Sequence, residues 1–163
     1  MEWLQGGFSV LHLWLNYIGF LAVPAIMIGL YAAQRPCVSR SALVGAVLYG
    51  FAFIYFAFTT LFALQSHVAT YAELWSSLGR VYTMHGALMI VGGLLFGHAT
   101  FKARVVPRWI PLVFMSGLAA NLMLTFVDVD DLYQTIGTAL RNAGLIAMGC
   151  AIWRSADGPS SAA

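Results

Sequence analysis

The sequence predicts an all-α integral membrane protein: a bundle of five transmembrane helices with a short interfacial helix between helices two and three. Three observations predict it. Charged residues make up 9% of the 163 residues, where an average soluble domain has about 25%. Hydrophobic residues make up 61%, and the mean hydropathy is +0.82. The apolar residues fall in five runs, most near the ~20 residues that cross a bilayer as a helix.

The N-terminal stretch MEWLQGGFSV carries Glu2 and no basic segment, so it is not expected to be a cleavable signal peptide. The first span runs over about Phe8–Ala33 and the second over about Ala42–Gln65. In the second, Phe51, Tyr55, Phe58 and Phe62 form one stripe, and Tyr49, Phe53 and Phe56 another. Such stripes suit the wall of a cavity for haem, quinone or an isoprenoid tail, and equally suit bundle core. The loop SHVATYAELWSSLG places Val68, Tyr71, Leu74, Trp75 and Leu78 on one helical face. It is read as an amphipathic helix lying in the outer interface, either roofing a pocket or simply connecting two spans. The third span covers about Val81–Phe101, the short fourth Ile110–Val127, and the fifth Leu132–Trp153. Residues 1–154 form a single bundle, and the polar tail 155–163 is expected to be disordered. Trp3, Trp14, Trp75, Trp109 and Trp153 fall near predicted interfaces, as an aromatic belt does.

Arg35, Arg40, Lys102, Arg104, Arg108 and Arg154 lie on one side if the spans alternate. The positive-inside rule then places the N-terminus outside and the C-terminus in the cytoplasm of a bacterial-type inner or plasma membrane. Cys37 and Cys150 fall near the cytoplasmic side and form no CxxC motif. A net charge of +2 without a basic stretch interleaved with aromatics argues against nucleic acid as a partner.

Polar side chains in a membrane are costly and mark functional or bundle-facing positions. Here they are His12, Asn16, His85, His98, Asn121, Arg141 and Asn142. His12 and His85 each lie about four residues inside the outer end of a span, hence at similar depth. Facing one another, they would ligate the two axial sites of a haem iron. Asn16, one turn below His12, is placed to give the second-shell hydrogen bond. On helix three, His85, Met89, Gly93 and Phe96 share a stripe, and Gly86 removes a side chain beside His85. Gly92, Gly93 and Gly97 admit either a flat ring or a second helix. His98 falls about 140° around the helix from His85 and is read as an interface residue. A metal site from His67, His12, His85 and Glu73 is a lesser possibility, with no local HxxxH or HExxH to support it.

The stretch RVYTMHGALM, Arg80 to Met89, resembles the second transmembrane helix of haem-copper oxidase subunit I. That helix carries Thr-x-His-Gly-x-x-Met, and its His is an axial ligand of the low-spin haem. Here the pattern is Thr83, Met84, His85, Gly86, Ala87, Leu88 and Met89. Pro107 and Arg108 in VVPRW resemble the Pro-Arg that opens the family's next helix. The chain is also similar to short, single-bundle proteins grouped with that subunit. The resemblance spans about a third of the chain and implies haem b at His85. The family's His-Pro-Glu-x-Tyr stretch and His-His pair, which bind copper, do not occur, and five spans replace about twelve. Oxygen reduction and proton pumping are therefore not implied.

Arg141 lies about nine residues into helix five, where an arginine costs about 2.5–3.5 kcal/mol. Expected partners are Glu73, an aspartate of Asp128, Asp130 and Asp131, or backbone carbonyls with Asn121. An anionic ligand is the other option: a haem propionate, or a lipid or isoprenoid head group. Arg80, just outside His85, is a candidate for a second propionate. The three aspartates read as helix caps and a solvated turn. In a sharper reading, Glu73 with Asp128 or Asp131 protonates an isoprenoid-like substrate, as a membrane cyclase or isomerase does.

The leading expectation is thus a small b-type haem protein for electron transfer or for ligand or quinone binding. His12 and His85 would be its metal ligands, with Asn16, Met89, Arg80 and Arg141 around the cofactor. The alternatives are the acid-catalytic membrane enzyme and a non-catalytic subunit. The latter would pack into a homo-oligomer or larger membrane complex through the glycines of helix three.

Overall fold

The computed structural model describes residues 7–127 and 131–156. Among these residues the chain is all-helical and has no strand. The helices are α1 (Val10–Ala33), α2 (Arg40–Gln65), α3 (Tyr71–Ala103), α4 (Trp109–Leu124) and α5 (Asp131–Ala156). They match the five apolar runs to within a few residues, and short turns make successive helices antiparallel. Glu2, Trp3, Asp128 and Asp130 lie outside the described residues. So does the expected tail beyond Ala156.

Local chemistry sets the ends. Ser9 caps α1 by accepting the N–H of His12 at 3.2 Å. Thr70 accepts the N–H of Glu73, and the Glu73 carboxylate accepts the N–H of Ala69 at 2.9 Å. This reciprocal pair is a variant of the capping box and starts α3. Gly79, at φ 55° and ψ −137°, breaks α3 in a conformation that glycine tolerates and other residues do not. The segment 71–78 before the break is the amphipathic helix expected from the sequence. Its Leu74 is buried against Leu13 and Ala63, over the start of α1 and the end of α2.

Four helices, α1, α2, α3 and α5, are long and apolar enough to cross a membrane. The fourth is not. Its 16 residues span ~24 Å, short of the ~30 Å hydrocarbon core.

The helices pack chiefly as α1 on α2, α2 on α3 and α4 on α5, and a smaller α3–α4 contact joins the halves. Glycines set the closest approaches. A Cβ added at Gly45 would lie 2.7 Å from the Gly92 carbonyl oxygen, and one at Gly92 would lie 2.6 Å from the Tyr49 nitrogen. The α2 and α3 backbones are therefore in contact. On the other side, Gly144 lies against the Phe114 backbone, and Gly117 against the backbone of Gly137 and Arg141. Gly93 faces Leu118 and Tyr49, and Gly97 faces Met115. Gly92, Gly93 and Gly97 of helix three are thus packed against α2 and α4 within the chain. The interior holds Met27, Tyr49, Phe53, Phe96, Phe114, Leu118 and Met148. Outside, Leu11, Ile18, Ile54, Phe58 and Ile146 are exposed. An exterior this apolar is what lipid, not water, would cover.

The glycine contacts give a stability test. Gly92→Val should destabilise the detergent-solubilised protein by ~1–3 kcal/mol through overpacking. Gly19→Ala, whose Cβ meets nothing within 4 Å, should leave the thermal midpoint unchanged. Both are read by circular dichroism melts.

Candidate functional site

Arg141 enters the interior because Gly117 presses α4 against its backbone. Its side chain is only 6% exposed. Nη1 donates to the Met89 sulfur at 3.1 Å, and Nε lies 3.4 Å from Oδ1 of Asn142. The guanidinium carbon sits 5.5 Å from the centre of the Phe53 ring, a cation–π contact. A thioether is a weak acceptor and an aromatic face carries no net charge. Among the described residues no carboxylate pairs with Arg141. Beside it, the Tyr49 ring packs on Phe53 at 4.9 Å, and the buried Tyr49 hydroxyl has no hydrogen-bond partner.

The expected partners of Arg141 are engaged or placed elsewhere. Asn121 donates to the Thr138 hydroxyl at 3.1 Å, and its own oxygen is buried without a donor. Glu73 is exposed and caps α3. Asp131 opens α5, ten residues or ~15 Å along the helix from Arg141. Asp128 is outside the described residues. Glu73 is accounted for by helix capping, and the acids expected to pair with it, Asp128 and the side chain of Asp131, lie outside what the structure describes. What remains at mid-bundle is a cation held by neutral groups.

His85 is the second buried polar centre, also 6% exposed. Its Nδ1 donates to the Val81 carbonyl at 2.7 Å. That bond fixes the tautomer and leaves Nε2 as the acceptor or ligand nitrogen. The ring stacks on Tyr55 of α2, with centroids 3.6 Å apart and planes 14° from parallel. Phe51 stacks more loosely at 5.8 Å. A Cβ at neighbouring Gly86 would meet nothing within 4 Å, so that flank is open. Met89, one turn on, points to Arg141 instead.

His12 and His85 are neither level nor face to face: Leu13, beside His12, packs on Ala63 of α2, whereas His85 stacks on Tyr55, eight residues or ~12 Å along that helix. Helix α1 packs on α2 at Gly50, against Pro24, and α3 packs on α2 at Gly45. Those two glycines are ~140° apart around α2, and Tyr55 is also ~140° from Gly50. The His85 ring on Tyr55 therefore lies on the flank of α2 away from α1. Half-buried His12 sits on α1. Asn16 lines a cavity of about 50 Å³ with Phe20, Thr59, Thr60, Leu74 and Tyr82. Leu74 of the amphipathic segment thus lines a small, mostly apolar cavity near the start of α1. Arg80 is exposed just past the Gly79 break, and His67 and His98 are exposed. No group of three His, Cys, Asp or Glu among the described residues could hold a metal ion.

Two partners have no local signal in the sequence. Met89 and Arg141 are 52 residues apart, and neither spacing nor motif links them. Tyr55 and Phe51 lie on the aromatic stripe of helix two, but nothing in that stripe names His85 as its neighbour.

Because Arg141 has no paired charge to orphan, Arg141→Met should leave stability unchanged or raise it. A melt in detergent checks this, and a fall of more than ~1 kcal/mol would show that the guanidinium holds the bundle together. Comparison with known protein families, curated proteins and solved structures finds no match, so function is argued from the chemistry of these two buried centres.

Proposed function

We propose that this chain is an integral membrane protein that binds, at Arg141, a lipophilic molecule carrying a carboxylate or phosphate. The observation that carries the reading is a buried guanidinium with no carboxylate partner among the described residues. Intramembrane ionisable residues mark functional sites by default. In low dielectric a lone cation strongly favours an anion, and the guanidinium fork suits carboxylate and phosphate oxygens. The Tyr49 hydroxyl is a further unused donor. Met89, unbranched and polarisable, can give up its weak contact and repack around a ligand. The apolar exterior and four membrane-length helices support insertion. The clustering of Lys and Arg at one end supports an outside N-terminus and a cytoplasmic C-terminus. A lipid or an isoprenoid-like anion meets these requirements.

The test is to purify the protein in mild detergent, extract it with organic solvent and quantify acidic lipophiles by mass spectrometry. The wild type should carry a near-stoichiometric anion. Arg141→Gln, folded by circular dichroism, should lose at least tenfold of it. Equal content in the two proteins would overturn the reading.

A second reading is haem b on His85, carried by the Nδ1–Val81 hydrogen bond. Metal-bound histidines characteristically donate their other ring nitrogen in this way. The resemblance of Thr83–Met89 to the low-spin haem helix points the same way. His85 would hold the iron through Nε2, and the haem would supply one-electron chemistry. His12 would not be its opposite ligand, since it lies across α2. Protein made in haem-supplied cells should show a Soret band and sharp reduced α and β bands. His85→Ala should abolish these and His12→Ala should keep them. A featureless wild-type spectrum excludes this reading and leaves the Arg141 reading intact.

A further inference from the structure

The last turns of α1 and α5 stand apart, although both end at the same face of the bundle. Between them runs a groove of about 430 Å³ lined by Ile26, Gly29, Leu30, Gly149, Ile152 and Trp153. That volume is in the range of small-molecule sites, and the lining is apolar. Two missing side chains create its width: a Cβ at Gly29 or at Gly149 would meet nothing within 4 Å.

The rim has the opposite character. Of the eight Lys and Arg in the chain, all but Arg80 and Arg141 lie at this end. Arg35 follows α1 two residues past Ala33, and Arg154 follows Trp153 in α5; both are exposed. The described carboxylate, Glu73, belongs to the opposite end. Trp153 is 72% exposed beside Arg154, a pairing suited to the head-group region. An apolar slot under a rim that is cationic among the described residues is complementary to one class of molecule, an acyl chain under a phosphate. A second copy of this chain fits less well, because it would bring like charges together with no described carboxylate between them.

We propose that this groove holds an acyl chain of an anionic phospholipid whose phosphate lies against Arg35 and Arg154. The site depends on the chain spanning a membrane and is independent of the ligand at Arg141.

The test is native mass spectrometry of the detergent-purified protein with equal phosphatidylglycerol and phosphatidylcholine added. The wild type should retain phosphatidylglycerol with at least fivefold preference. A Gly29→Leu/Gly149→Leu variant, whose new side chains enter open space, should fold normally and bind at least tenfold less. An Arg35→Gln/Arg154→Gln variant should lose the preference between the two lipids, and it decides the matter alone if the leucine variant does not fold. Arg141→Gln should retain the lipid, so loss there would assign the phospholipid to Arg141 and overturn the groove. Equal retention of both lipids by the wild type would also overturn it. So would a dimer that becomes monomeric in the leucine variant, because the groove would then be a self-interface.

Discussion

Helices set among lipid tails gain little by hiding leucines from one another, because the tails are just as apolar. What joins α2 to α3 in this chain is direct backbone contact at Gly45 and Gly92, and what joins α4 to α5 is the same contact at Gly117 and Gly144. Other features follow from these approaches. Tyr49, one turn from Gly45, is carried into the interior beside Gly93, and Phe114 is carried in beside Gly144. The Gly117 contact fixes the Arg141 backbone and so sends a guanidinium into the core. A side chain at any of these glycines would separate a helix pair and move the polar centre with it.

The interior that results is not electrically balanced. Arg141 meets an aromatic face and a thioether, each a modest stabiliser of a cation. Neither offsets the removal of a full charge from water as a carboxylate would. Nearby, the Tyr49 hydroxyl and the Asn121 oxygen are buried and unpartnered. A bundle built only for stability would do better with apolar residues of the same volume at these positions. Their coexistence with a close-packed backbone is what the proposed anionic ligand at Arg141 would account for.

The elements were legible in the sequence, and their neighbours were less so. Run length and flanking charge located five helices, and the face of Val68, Leu74 and Leu78 located the amphipathic segment ahead of the Gly79 break. The shortness of the fourth run was also visible, and α4 falls below membrane length for that reason. The capping role of Glu73 was written in Thr70-Tyr71-Ala72-Glu73, the spacing of a capping box. Depth arithmetic equated His12 with His85, but Leu13 packs on Ala63 and His85 on Tyr55, so the two differ in level, and a rise of 1.5 Å per residue says nothing of azimuth either. Which flank of α2 each helix occupies depends on Gly45 and Gly50. Those positions look alike in the sequence, and their difference appears only when the helices pack.

Charge is distributed along the bundle axis as well as across it. Six cations stand at one end, one at the other, and one at mid-depth, while the described carboxylate, Glu73, stands at the end opposite the six. Such a gradient orients a chain in a membrane, but orientation does not need a cation in the interior. Nor does it need a slot between α1 and α5 whose width comes from two glycines with nothing against them. Gly45, Gly92, Gly117 and Gly144 make backbone contact, whereas Gly19, Gly29, Gly79, Gly86 and Gly149 have nothing against them. Of these open positions, Gly29 and Gly149 line one groove, and they do so at the cationic end. The same physics that makes Gly45 and Gly92 intelligible as packing positions makes these two intelligible as space kept open.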